Sequence, residues 1–169
     1  MIFIKSAMLF CVFIIASSIG VLFSKQYINR VKELKEMKNA LNLFQTKVRF
    51  TAEPIPETFK EISRQLNNNI GQIFQIACDE MQYKSAGEAW KEAVESVTTS
   101  LREEDKKVIK ELAKLLGQTD EQGQLSQIAL VNDFLQNQIE NANQERAKNE
   151  KLYKTLGITI GLALVIVLI

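Results

Sequence analysis

Hydrophobic positions along this chain fall into two regimes. At the ends they are continuous: Ser6–Ser24 and Thr155–Ile169 contain no charged residue. Between those runs they recur at helical spacing. Val31, Leu34, Met37, Leu41, Phe44 and Val48 follow one another at 3, 3, 4, 3 and 4 residues, which predicts one apolar stripe on a helix reaching about Phe50. Pro54-Ile55-Pro56 ends it, because proline lacks an amide donor and restricts the residue before it. A second helix is predicted from about Pro56 to Leu66, stopped by Asn67-Asn68-Asn69. A third covers about Ile70–Gln82, with Ile73, Phe74, Ala77 and Met81 inward. Ser85-Ala86-Gly87-Glu88 has the form of a capping box opening a fourth helix, which carries Ala89, Trp90, Ala93 and Val97. Ser100-Leu101-Arg102-Glu103 offers the same start for a fifth, with Val108, Leu112, Leu115 and Leu116 on its apolar side. Gly117 suits the left-handed position that closes that helix, and Thr119-Asp120 suits the cap of a sixth. The sixth shows Leu125, Ile128, Val131, Leu135, Ile139 and Ala142, then meets the second apolar run without a breaker. Alternating β-branched runs are absent, and the chain has two prolines and seven glycines, so the expected class is all-α.

The first apolar run has 19 uncharged residues, close to the ~20 that cross a ~30 Å hydrocarbon core. The second has 15, extended by Leu152 and Tyr153 while Lys154 reaches back toward headgroups. Ala16-Ser17-Ser18 resembles a leader cleavage site, but apolar residues continue to Phe23, which favours a span. The expected architecture is an N-terminal transmembrane helix (1–24), an antiparallel six-helix cytoplasmic bundle (25–154) and a C-terminal transmembrane helix (155–169). Short loops make successive helices antiparallel, and six is an even count, so the path returns to the membrane. The turns near 50–56, 82–85 and 116–122 then lie at the distal end, and those near 67–70 and 98–103 face the membrane.

Charge sharpens this reading. Lys25, Arg30, Lys32 and Lys35 follow the first run, and Arg146, Lys148, Lys151 and Lys154 precede the second. Basic residues flanking a span stay on the cytoplasmic side, so both spans point the intervening segment inward. These eight residues are expected at the membrane surface, where anionic lipid attracts each by about 1 kcal/mol. Residues 50–145, by contrast, hold nine Lys/Arg against seventeen Asp/Glu, a net −8, and offer no basic patch for nucleic acid. Cys11 lies within the first run and Cys78 in the soluble part, so no disulfide is expected and Cys78 reads as a buried packing residue.

Chemistry is sparse. The chain has no histidine, which removes the commonest acid/base group and metal ligand. No Gly-rich phosphate loop, Cys/His metal spacing or serine elbow occurs, and acidic pairs such as Glu92/Glu95 sit among lysines at helical spacing. No catalytic site, metal, cofactor or small-molecule substrate is expected. Two small-xxx-small pairs, Ala16/Gly20 and Gly157/Gly161, allow close backbone approach, and in antiparallel spans they would share a depth. They pack the two spans on each other or build an oligomer.

Four segments then carry a likeness. Glu53-Pro54-Ile55-Pro56-Glu57-Thr58-Phe59, Ala89-Trp90-Lys91-Glu92-Ala93, Leu116-Gly117-Gln118-Thr119-Asp120 and the run Glu145–Gly157 resemble, in order and spacing, the stage III sporulation protein AB family. The likeness extends over the whole chain; Ala52-Glu53-Pro54-Ile55-Pro56 departs from the family's usual Thr-Pro-Leu-Pro wording. The resemblance implies a role in endospore formation, in the channel apparatus joining mother cell and forespore, and a bundle similar to the cytoplasmic domains of type II secretion F proteins. It also implies neighbours, foremost an ATPase of the secretion type, stage III sporulation protein AA, and other channel proteins. Combined with the topology, it points to a distal partner surface comprising Glu53, Pro54, Pro56, Glu57, Phe59, Trp90, Gly117, Thr119 and Asp120, since loop residues are more often functional than core ones. The expected function is a non-enzymatic scaffold in the mother-cell membrane; the competing class is a signalling protein whose long first and last helices transmit motion.

Overall fold

The computed structural model describes residues 2–51, 53–116 and 121–168. They form six α-helices: α1 (Ile2–Phe50), α2 (Ile55–Gln65), α3 (Asn69–Glu80), α4 (Ala86–Ser96), α5 (Glu103–Lys110) and α6 (Glu121–Leu168), with a 3₁₀ turn over Glu111–Lys114. No strand occurs among the described residues. The chain divides into two compact units, one of Met1–Val31 with Asn141–Ile169 and one of Lys32–Glu140.

In the Lys32–Glu140 unit the periodic positions become the core. Leu34, Met37, Leu41 and Phe44 of α1 are buried, as are Ile128, Val131, Leu135 and Ile139 of α6. Val48, at the end of the α1 stripe, is only half-buried. An aromatic cluster joins α1, α2, α3 and α4. Phe59 packs edge-on to Phe44, Phe74 and Trp90 at centroid distances of 5.3, 5.0 and 5.4 Å, and Phe74 meets Trp90 at 5.0 Å. Such contacts add about 0.5–1.5 kcal/mol each beyond the area they bury. The Trp90 indole N–H donates to the Ile109 carbonyl at 2.8 Å, just before α5 tightens into its 3₁₀ turn.

The helix ends have local causes. Pro54 caps α2 with its carbonyl, which accepts from the Thr58 amide at 3.1 Å, and Pro56 sits in the first turn where a missing N–H costs nothing. Asn68 caps α3 by accepting from the Gly71 amide at 3.0 Å. Gly71 is required there: a Cβ would lie 1.7 Å from the Leu66 carbonyl oxygen. Ser85 and Glu88 form the capping box that their spacing predicts, with the Glu88 amide donating to Ser85 Oγ at 3.4 Å and the Ser85 amide to Glu88 Oε2 at 3.3 Å. The second box is displaced. The α5 cap is Arg102, whose amide donates to Asp105 Oδ2 at 2.9 Å, while the Ser100 amide goes to Glu33 of α1 at 2.6 Å.

That Glu33 carboxylate organises one end of the unit. It also accepts from Asn69 Nδ2 at 3.0 Å, so one buried side chain on α1 holds both the α2–α3 and α4–α5 connections. Lys47, near the other end of α1, pairs with Glu53 just before α2 and with Glu61 within it. Within this unit the turns near 69 and 100 therefore share one end, and those near 53 and 82 the other.

The candidate membrane anchor and partner surface

The Met1–Val31/Asn141–Ile169 unit is an antiparallel pair of helices, and glycine decides how close they come. A Cβ on Gly20 would stand 2.6 Å from the Tyr153 carbonyl oxygen and 2.9 Å from Gly157 Cα. One on Gly157 would meet Gly20 Cα at 3.0 Å and the Ala16 carbonyl oxygen at 3.2 Å, and one on Gly161 would meet Phe13 at 3.0 Å and Ala16 Cβ at 3.4 Å. Ala16, Gly20 and Gly157 thus form one backbone-to-backbone contact, and Gly161 leaves room for the Phe13 ring and the Ala16 methyl group. The outward faces are apolar: Phe10, Ile15, Leu22, Ile160, Leu162 and Val167 are exposed. Both helices are long and apolar enough to cross a membrane, with mean hydropathy of 2.4 and 1.7 in their richest windows. Only 11% of each window is buried, whereas the core helix of a soluble domain would be mostly covered.

At one end of this apolar surface, rings and charges gather. Tyr153 stacks on Phe23 at 5.8 Å and on Tyr27 at 5.7 Å, the amphipathic arrangement that suits a membrane–water boundary. Lys25, Lys148, Lys151 and Lys154 are exposed. Glu150 accepts from Lys154 at 2.8 Å and from Arg146 at 2.9 Å, which together hold its carboxyl below the usual range. Arg30 departs from the expected surface role. It is buried and paired with Glu145 at 3.0 Å, so its charge is satisfied inside the helix pair. In the other unit Lys32 and Lys35 are exposed, Lys32 lying 3.8 Å from Glu36.

The expected partner residues separate into three groups. Pro54, Pro56 and Glu57 are exposed and Glu53 is half-buried against Lys47. Phe59 and Trp90 are fully buried in the aromatic cluster and cannot touch a partner, which corrects their assignment. The reason is physical: their rings fill the centre of the unit, and large aromatics serve the core wherever a stripe faces it. Gly117, Thr119 and Asp120 lie outside the described residues. Cys78 is likewise not a buried packing residue. It is half-buried, its thiol donates to the Pro56 carbonyl at 3.3 Å, and it lines a groove of about 230 Å³ with Pro56, Glu57, Lys60, Met81 and Gln82. Burial pushes the Cys78 thiol up, aided by the charges of Asp79 and Glu57. Two exposed aromatics escaped the sequence reading: Phe50, the last residue of α1, is 75% exposed, and Tyr83, on the turn after α3, 83%. The available signal was an aromatic at a helix end, off the apolar stripe.

Charge at this end is largely internal. Glu61 foremost, with Glu53, holds the Lys47 ammonium above its usual range, and Glu92 and Glu80 do the same for Lys84. Among the described residues no group of three His, Cys, Asp or Glu side chains could hold a metal ion.

Comparison with known proteins places this architecture. A family profile described as stage III sporulation protein AB matches residues 5–169. Stage III sporulation protein AB of Bacillus subtilis (strain 168) is 28% identical over 153 residues, covering 88% of this chain and 90% of that protein. A solved structure of a stage III sporulation protein AB superimposes with a TM-score of 0.67 and 22% identity, covering 71% of this chain and 98% of the other, a likeness of fold.

Proposed function

The chain belongs to the stage III sporulation protein AB family, and from that premise we propose that it is a non-enzymatic membrane scaffold of the sporulation channel complex. In this reading the helix pair spans the mother-cell membrane from its cytoplasmic side. The six-helix unit stands in the cytoplasm and docks an ATPase of the secretion type, stage III sporulation protein AA. The observation that carries it is the contrast in burial: apolar helix faces left open beside a ring of tyrosines and lysines, on a chain whose other unit has a closed core. A scaffold needs an anchor and a presented surface, and the exposed Pro54, Pro56 and Glu57 with Phe50 and Tyr83 supply the second.

Two measurements test it together. A reporter inserted near residue 100 is expected to read cytoplasmic in sporulating cells. The full chain, solubilised from those membranes, is expected to co-purify with the ATPase, and reversal of Glu53 and Glu57 to lysine to weaken that capture. An external reporter, or capture indifferent to both reversals, overturns the reading.

A further inference from the structure

Of the large apolar side chains exposed on the Lys32–Glu140 unit, Leu130 and Phe134 stand away from any helix end. They lie one turn apart on α6, 46% and 45% exposed, on the side opposite Ile128, Val131, Leu135 and Ile139, which are buried. The spacing extends them into a seam. Leu130, Phe134, Asn137, Asn141 and Gln144 follow one another at 4, 3, 4 and 3 residues, and all five are exposed and uncharged. Such intervals mark a helix that meets another helix along its length. The glycine pairs cannot supply that second helix, because Gly20 and Gly157 already meet each other within one copy.

We propose that this face of α6 pairs with the same face of a second copy of the chain, the two α6 helices running parallel. The orientation rests on the anchoring reading above: copies held in one membrane from one side present α6 in the same direction. Parallel pairing sets each seam residue against its own counterpart, apolar on apolar at Leu130 and Phe134 and amide on amide at Asn137. An amide side chain donates and accepts, so it is complementary to itself, and polar residues within such a seam fix its register. Charge agrees with this occupant. One flank of the seam carries Asp133 and the other Gln138, and in a parallel pair each Asp133 comes to Gln138 of the second copy rather than to a like charge. Glu140 comes to Glu145 in the same way, and Glu145 is already paired with Arg30 at 3.0 Å. A strongly charged partner would find no counter-charge on the seam itself. Two apolar side chains bury little area, but confinement to one membrane in one orientation removes much of the cost of association.

Crosslinking in the membrane tests the pairing. Full-length protein carrying Cys11→Ser and Cys78→Ser, the chain's two cysteines, receives either Asn137→Cys on the seam or Lys91→Cys on the exposed side of α4. In membranes treated with a mild oxidant, Asn137→Cys is expected to form the disulfide-linked dimer about tenfold faster than Lys91→Cys. Adding Leu130→Asp and Phe134→Asp is expected to remove that excess while leaving the unfolding midpoint unchanged, since both side chains stand outside the core. Equal rates at 137 and 91, an excess that survives the double aspartate variant, or capture of a different protein at 137 overturns the proposal. A membrane-impermeant maleimide, applied to intact cells, tests the anchoring reading separately. It is expected to spare Asn137→Cys until the membrane is opened, and labelling from outside removes the anchoring reading whatever the crosslinking shows.

Discussion

The two units of this molecule solve the packing problem by opposite means. In the pair formed by the ends of α1 and α6, contact is made by removing side chains: Gly20 and Gly157 bring backbones within reach, and the large apolar residues point outward. In the Lys32–Glu140 unit, contact is made by adding them: Phe44, Phe59, Phe74 and Trp90 fill the centre, and few large apolar side chains are left outside. The difference teaches what each surrounding rewards. Water drives large apolar groups inward. Hydrocarbon gives no such push, so helices associate there through close van der Waals fit. A single continuous helix, α1, obeys both rules in different stretches.

The contrast can be broken at either side. Trp90→Ala should have the largest effect, about 4 kcal/mol by the usual cost of emptying an aromatic site, read as a lower denaturation midpoint of the six-helix unit. Gly20→Leu should cost the helix pair about 3 kcal/mol or more by overpacking and abolish disulfide trapping between engineered cysteines on the two helices, while near-UV signals of Trp90 persist. Glu33→Ala leaves the Ser100 amide and Asn69 without their acceptor and should cost about 2 kcal/mol.

Glu33 also predicts a pH dependence. Burial, more than any neighbour, raises its pKa when folded, so the folded state binds its proton more readily than the unfolded chain does. That contribution to stability is full below the unfolded pKa and is lost as pH rises through the folded value. Unfolding measured across that interval should slope downward with rising pH, and Glu33→Gln should flatten the slope. The smallest effect belongs to Ser85→Ala, about 1 kcal/mol for the lost cap of α4.

Much of this was legible in the sequence because it is periodic. The α1 stripe from Val31 to Phe44 is buried as its spacing predicts, and α1 ends at Phe50 before the two prolines. What escaped was whatever depended on a distant residue. Ser100 has the form of a cap, but its amide is claimed by Glu33, 67 residues away, and the cap passes to Arg102. Arg30 reads as a surface cation until Glu145 is seen beside it. Phe59 and Trp90 lie next to the turn residues that resemble the family, yet the helix turns their rings inward. The Cys78 groove arises only where two helices meet, and neither strand of sequence announces it.

The Glu33 clasp has a consequence for how the chain is made. Its partners emerge from the ribosome in order: Asn69 comes 36 residues after it and Ser100 67 residues after it, whereas Glu145 reaches Arg30 only after 115. At roughly 5–20 residues per second, the last of these closures waits on the order of ten seconds for its second half to be translated. The middle of α1 is thus a post set early, to which each later segment is moored in turn, and the C-terminal helix is the bolt drawn last.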